Sequence, residues 1–286
     1  MSRPFDHLVL ATNDLDAAGV FYEHLGFKVG TRNRHPWGTE NRIVQFPGSF
    51  LELITVGEGA DIPPHGEGVF SFGAFVRDYL DTFEGLAMLV LESKDAQADN
   101  ADFKKSGIGG FDPFFFERKG VRPDGTPVEV SFSLAFAKNA LSPCAGFFVC
   151  QQHRPENFWN IAAQQHPNGA TGISEVMMIA ENPADHAEFL SHFTGQRDMQ
   201  STSAGLLVDT GRGIISVMSE ASAAFRLGAI FDPIPTRLIG FTVIVPDLRA
   251  LEGRLASGKI AYQTRSNSIV IPSDTAFGVS IAFEQA

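Results

Sequence analysis

His7-Leu8-Val9-Leu10-Ala11-Thr12, followed by Asn13-Asp14-Leu15 and an apolar-striped helix that closes at Leu25-Gly26, is the pattern from which the rest of the chain can be read. An apolar strand runs into Asp14, an N-cap type that satisfies free amides of the first helical turn. Ala17, Phe21, Tyr22 and Leu25 then recur at helical spacing, and Gly26 permits the left-handed backbone that ends a helix. The same order returns three times. Asp14 to Gly26, Asp95 to Gly107 and Pro183 to Gly195 each span 12 positions, and Asp247 to Gly258 spans 11. Internal repetition lets equivalent positions be compared within one sequence, so a residue type confined to one copy calls for a local reason.

Each copy continues into three strands. In unit one they are expected at 27–32, 42–46 and 50–55, with Pro47-Gly48 turning between the last two. Unit two places a strand at 86–91, a helix at 95–106 and strands at 113–117, 128–135 and 146–151; unit three uses 173–180, 183–194, 198–201, 206–209 and 214–218. Unit four uses 238–245, 248–257, 260–264, 268–271 and 279–283. An insertion at 57–85 carries a short helix with Phe72, Phe75, Tyr79 and Phe83, and the irregular stretch 152–171 marks the expected domain boundary. The expectation is an α+β chain of paired strand-helix-three-strand units. Residues 1–156 form one domain and 157–286 a second, each a curved, mostly antiparallel sheet.

With 286 residues and 44% apolar content, the chain can bury two ordinary cores. A formal charge of -11 argues against a nucleic-acid partner, which needs clustered Lys and Arg. Cys144 and Cys150 are the sole cysteines and form no disulfide framework, which fits a reducing cytoplasm. No apolar run reaches membrane-spanning length, and the start Met1-Ser2-Arg3-Pro4-Phe5-Asp6 reads as lacking a signal peptide. Phe is used 26 times against three Tyr and two Trp, so aromatic bulk is expected to serve dry packing.

Comparison of the copies singles out two residues. Seven positions before each helix start stand His7, Met88, Val176 and Gly240; four positions into each last strand stand Glu52, Cys150, Val217 and Ala282. Unit one alone has an imidazole and a carboxylate in these slots. A carboxylate inside Phe50-Leu51-Glu52-Leu53-Ile54 is costly to bury without a cation or donors. Three readings stand side by side: His7 and Glu52 as metal ligands, Glu52 as a metal-free proton acceptor oriented by His7, or a satisfied polar pair with each other or with Arg32 or Arg42. His153, just past the last strand of unit two, is the candidate third metal ligand if a register change turns it inward. In His35-Pro36-Trp37-Gly38-Thr39-Glu40-Asn41, Trp37 and Asn41 are placed to stack on and hydrogen-bond a ligand, or Trp37 packs on the insertion helix. His35, Phe148 and Trp159 complete the candidate substrate contacts, the last from the aromatic connection between the halves.

The His7 strand, Asp14-Leu15, Phe21-Tyr22 to Leu25-Gly26-Phe27 and Leu51-Glu52-Leu53 together resemble the vicinal oxygen chelate superfamily, which includes glyoxalase I, extradiol dioxygenases and bleomycin-resistance proteins. The segment 35–41 resembles, more narrowly, glyoxalase-like domain proteins. The resemblance implies four βαβββ modules paired into two open, barrel-like domains. It also implies a divalent metal (Fe, Mn, Zn or Ni) held by His7 and Glu52 in the N-terminal cleft. The activity implied is that of a lyase or ring-cleaving dioxygenase acting on a small oxygen-bearing molecule, with a metal-free binding or sequestering protein as the alternative. Met88 and Cys150 depart from the family's further ligand slots. The C-terminal half reads as structural, a lid or a homodimer surface.

Overall fold

The computed structural model describes residues 2–121 and 125–286, so Met1 of the N-terminal reading lies outside the described residues. The first half runs β1 (Phe5–Ala11), α1 (Leu15–His24), β2 (Asn33–Arg34), β3 (Thr39–Phe46), β4 (Ser49–Val56), α2 (Phe72–Leu80), β5 (Gly85–Glu92), α3 (Ala96–Lys105), β6 (Phe114–Val121), β7 (Pro127–Ala137) and β8 (Gly146–Gln152). After the short helix α4 (Pro155–Phe158), the second half runs β9 (Gly172–Ile179), a 3-10 turn at Pro183–His186, α5 (Ala187–Thr194), β10 (Gln200–Thr202), β11 (Gly205–Asp209) and β12 (Ile214–Met218). It ends with α6 (Glu220–Leu227), β13 (Arg237–Val245), α7 (Leu248–Ser257), β14 (Gln263–Arg265), β15 (Ser268–Ile271) and β16 (Ser280–Gln285).

The capping chemistry is as the sequence suggests. Asp14, Asp95 and Asp247 each sit at an N-cap and accept from backbone amides two or three residues on. Gly26, Gly107 and Gly195 take positive φ at the helix ends, whereas in unit four the left-handed residue is Lys259 and not Gly258. That shift restores in the backbone the spacing that the fourth glycine lacks.

Two eight-stranded sheets result, ordered β2-β3-β4-β1-β5-β8-β7-β6 and β10-β11-β12-β9-β13-β16-β15-β14. In each, the first strands of consecutive units pair antiparallel at the centre and each pairs parallel with the last strand of its own unit. The outer pairings are antiparallel, giving four βαβββ modules in two barrel-like sheets. The core-facing residues of both sheets, with α1, α3, α5 and α7 between them, form one continuous apolar cluster; Phe103–Phe193 and Phe27–Phe283 pack across it with ring centroids at 6.0 and 6.1 Å. Arg3 ties the halves at their rim, bonding Asp99 at 2.7 Å and the carbonyls of His192 and Phe193. The opposite, concave faces carry separate clusters, under α2 in the first sheet and α6 in the second.

One expected strand is missing. Residues 27–32 stay irregular because Lys28 N–H donates to His166 Nδ1 at 3.0 Å instead of to a strand neighbour, and the Phe27 ring turns into the shared core. The connection after β8 folds back on the first half: the Gln45 side chain bonds Phe158 O and Asn160 N at 2.8 and 2.9 Å, and Lys28 Nζ bonds Ala162 O at 2.9 Å. Among the described residues no helix is long and apolar enough to cross a membrane.

Candidate functional site

The first sheet curls until its two edges meet through aromatic rings. Trp37, in the β2–β3 turn, lies 4.8 and 5.2 Å from Phe116 and Phe114 of β6, and His35 stacks on Trp37 at 4.5 Å. Trp37 also touches Phe72 of α2 at 5.7 Å, so it both packs on the insertion helix and lines the enclosed space. That space is a cavity of about 50 Å³, room for a few waters as it stands. Ile43, Arg118 and Phe158 line both this space and an outer vestibule of about 820 Å³.

His7 and Glu52 face this cavity together. In the parallel β1–β4 register His7 lies beside Phe50 and Val9 beside Glu52, so the two groups stand on one face, one inward position apart. His7 stacks on Phe50 at 4.0 Å, and the Asp6 carboxylate accepts from its Nδ1 at 2.6 Å. Asp6 reaches the same side as its neighbour because the β1–β5 ladder shifts register between Phe5 and His7. The pairing leaves His7 Nε2 as the ring nitrogen for the cavity.

Glu52 is held by Asn41 rather than by His7. Asn41 Nδ2 donates to Glu52 Oε1 and lies 3.4 Å from His35 Nε2, while His35 Nδ1 bonds Thr39 Oγ1 at 2.8 Å. Burial pushes the His35 imidazole down to about 4, against the opposing pull of Glu52, so at neutral pH its 3.9 Å approach to Glu52 is not an ion pair. Two buried polar atoms on this wall have no partner: Asn41 Oδ1, on a side chain 2% exposed, and Trp37 Nε1. Each leaves about 1–3 kcal/mol of hydrogen bonding unmade, a deficit a ligand can fill.

Of the residues singled out in the sequence, His35, Trp37, Asn41 and Phe148 line the cavity beside His7 and Glu52. Trp159 stands in the vestibule wall, 6.0 Å from Phe50. His153 lies elsewhere. Strand β8 keeps its alternation through Phe148, Cys150 and Gln152, without a bulge, so His153 is exposed on the outer side, where Nε2 meets Ser133 Oγ at 2.7 Å. Arg32 and Arg42 pair with Asp16 and not with Glu52. Sequence reasoning passed over Asp6, visible only through the register shift, and Arg118, which period-two alternation from Phe114 and Phe116 points inward.

The model of the glyoxalase-like domain matches residues 5–194. The chain belongs to this family. The glyoxalase-like domain shares its fold with a hypothetical protein from Staphylococcus aureus, at TM-score 0.70 and 13% identity over 99% of both chains. It is similar to a triple mutant of 4-hydroxymandelate synthase from Streptomyces coelicolor, at TM-score 0.59 and 11% identity over 100% of this chain and 93% of the other. A xylose isomerase-like TIM barrel/4-hydroxyphenylpyruvate dioxygenase fusion protein matches at TM-score 0.53 and 12% identity, covering 100% of this chain and 49% of that one. At such identities these likenesses concern the fold alone. A comparison with curated proteins finds no match.

The donor set of this glyoxalase-like domain does not fit a three-ligand metal centre. Among the described residues no three His, Cys, Asp or Glu side chains are grouped to hold an ion. Beside His7 and Glu52 the wall offers His35, whose Nε2 faces Asn41 Nδ2 at 3.4 Å, and the Cys150 thiol. Burial, then Asp6, Glu52 and Glu92, hold that thiol well above its usual range and hence protonated. Arg118 adds a fixed positive charge to the same cavity. Asn41 already donates to Glu52 Oε1.

The second concave face corrects one expectation. Val176 and Val217 point into the shared core, not the cleft. Pro183 is the first helical residue and Asn182 the N-cap, so the position equivalent to His7 is Glu175; the parallel register then makes Ser216 the counterpart of Glu52. By the same register Phe148, rather than Cys150, answers Glu52 in unit two. Glu175 is bound by Arg226 of α6 and by Thr242 Oγ1 at 3.3 Å, and Arg226 also meets Glu284 at 3.1 Å.

Proposed function

We propose that the N-terminal cleft takes up a small oxygen-bearing organic molecule and that Glu52 accepts a proton from it, with no step routed through a metal. One observation carries this reading: a carboxylate set into an apolar strand, fixed through Oε1 by Asn41, on the wall of an aromatic cavity whose Asn41 Oδ1 and Trp37 Nε1 are unpartnered. Fixed geometry and exclusion of water are what make a carboxylate effective as a general base. In such a step a C–H beside a carbonyl gives its proton to Glu52, the electron pair moves to the carbonyl oxygen, and the free Trp37 N–H is the donor available to it. For a 2-hydroxy carbonyl compound, return of the proton at the former carbonyl carbon, with the hydroxyl proton passing to the former carbonyl oxygen, completes an isomerisation without an oxidant. His7, set by Asp6, positions or relays through Nε2.

The metal-dependent lyase or dioxygenase reading needs a third donor where the wall supplies His35, already set between Thr39 and Asn41, a protonated Cys150 and the positive charge of Arg118. The alternative of a sequestering protein uses the same cavity without chemistry, and the Phe-rich walls favour it. The C-terminal half, 157–286, serves in either case as structural support for the first. Elemental analysis of protein purified without added metal tests the first point; less than one equivalent of Fe, Mn, Zn or Ni is expected. A stoichiometric ion lost in both His7→Ala and Glu52→Gln would overturn it. A panel of 2-oxo aldehydes, 2-oxo acids, catechols and hydroquinones, followed by NMR in deuterium oxide, separates enzyme from binder. Exchange that the wild type accelerates and Glu52→Gln does not is expected; binding with no exchange supports sequestration.

A further inference from the structure

We infer that Arg118 makes the N-terminal cleft selective for small aromatic carboxylates, gripping the acid group at the throat while the apolar body lies inward among the Phe rings. The inference rests on the reading of the cleft as a ligand site and adds the class of ligand.

Strand β6 alternates strictly. Phe114, Phe116 and Arg118 face inward, opposite Leu134, Phe132 and Val130 of β7, while Phe115 is exposed on the outer side. A guanidinium therefore occupies the third position of a row whose first two members are aromatic. Arg118 lines both the inner cavity and the vestibule, which places it at their junction with Ile43 and Phe158. Among the described residues it makes no hydrogen bond or ion pair, and Glu52 influences it only through space. Burial lowers its proton affinity and Glu52 partly restores it, as expected of a cation in apolar surroundings without a contact partner.

The five donors of this guanidinium meet no protein acceptor among the described residues and none is sealed from solvent, so they are open to a ligand entering from the vestibule. Its fork matches a carboxylate in a bidentate fashion, and a carboxylate is the group that would offset its desolvation. The rest of the cleft sets the remainder of the ligand. Ring faces of Phe116, Phe132 and Phe158 suit an aromatic body once they part to admit it, since the inner space of about 50 Å³ holds only waters as it stands, and the open Asn41 Oδ1 and Trp37 Nε1 suit a hydroxyl or oxo group deeper in. This orientation keeps the acid at the outer end, away from the strand that carries Glu52. With a chain charge of -11, an anion gains nothing from the protein at large, so its binding depends on this local cation.

The test is calorimetric titration of the whole protein with matched pairs: phenylglyoxylate and mandelate against phenylglyoxylamide and mandelamide. The acids are expected to bind about 10- to 100-fold more tightly than the amides, the range for a charge-assisted hydrogen-bonded pair. Arg118→Met should abolish that preference while leaving amide affinity within about twofold, which shows that the cavity is intact. Arg118→Lys should recover part of it, since the charge returns without the fork. Equal binding of acids and amides to the wild type, or a preference that survives Arg118→Met, overturns the inference while leaving the cleft a ligand site. Binding of neither member of any pair at millimolar concentration overturns the inference and counts against the cleft reading as well.

Discussion

The two concave faces share one topology and differ in how their polar groups are settled. In the C-terminal sheet, the group at the first-strand slot is Glu175, and Arg226, Thr242 and Glu284 close a network around it. In the N-terminal sheet, the corresponding His7 and its neighbour Glu52 are held on one side only. Asp6 fixes one nitrogen of His7, Asn41 fixes one oxygen of Glu52, and Asn41 Oδ1, Trp37 Nε1 and Arg118 are left without contact partners among the described residues. The first arrangement stabilises a fold; the second leaves bonds to be made by something else. Equivalent placement is therefore a poor guide to function, and unmet hydrogen bonding is a better one.

The sharpest break between the faces is chemical. Glu52→Gln keeps the Asn41 contact and the volume but removes the basic oxygen, so any turnover found for the cleft should fall by about 10²–10⁴-fold in kcat with little change in melting temperature. The equivalent change at Glu175 should leave turnover untouched. Acid should weaken the N-terminal face next. His35 is neutral and buried, with its proton affinity lowered to about 4 against 6.5 when exposed. Below 6.5 the unfolded chain gains a proton that the folded one does not. Stability is thus complete above about 6.5 and is lost as pH falls towards 4, by about 3 kcal/mol for this residue. Buried His166 and His186 shift in the same direction. Denaturant titrations between pH 7 and 4 check this, and His35→Gln should flatten the curve.

Arg226→Met addresses the second face, where Glu175 would remain buried without its cation. The cost should be about 2–3 kcal/mol, towards the low side for a buried pair because the Arg226 side chain is 35% exposed. Combining it with Glu175→Gln should recover most of that loss if the network is structural. The smallest effect belongs to His153→Ala. An outward, solvent-facing imidazole bonded to Ser133 should change activity by less than about twofold and stability by under about 0.5 kcal/mol.

The fold was legible because repetition supplies its own alignment. The four strand-helix-glycine units, the three Asp N-caps and the Phe-rich insertion helix all stand in the structure. Helix α6, the counterpart of α2 on the second face, escaped notice because Glu220–Leu227 lacks the aromatic spacing that marks α2. Counting from Pro183 instead of Asn182 slipped unit three by one residue, and in a strand one residue reverses the face. That slip hid Glu175 behind Val176. His7 and Glu52 were accessible to the same counting because Asp14 is itself the N-cap. Arg118 obeys the alternation of β6 and was there to be read. Asp6 was not, since a register shift is a property of the ladder and not of the residues in line.

Ligand should bind in the first face and not the second, and the chain carries its own reporter of where it binds. Its two tryptophans, Trp37 and Trp159, both stand at the N-terminal cleft, so in Trp159→Phe the emission comes from the cavity wall alone. Titrating that variant with phenylglyoxylate, or with any molecule that calorimetry shows to bind, should give a saturable change in Trp37 emission at the calorimetric Kd. Calorimetric binding with Trp37 emission unchanged would place the ligand outside the N-terminal cavity.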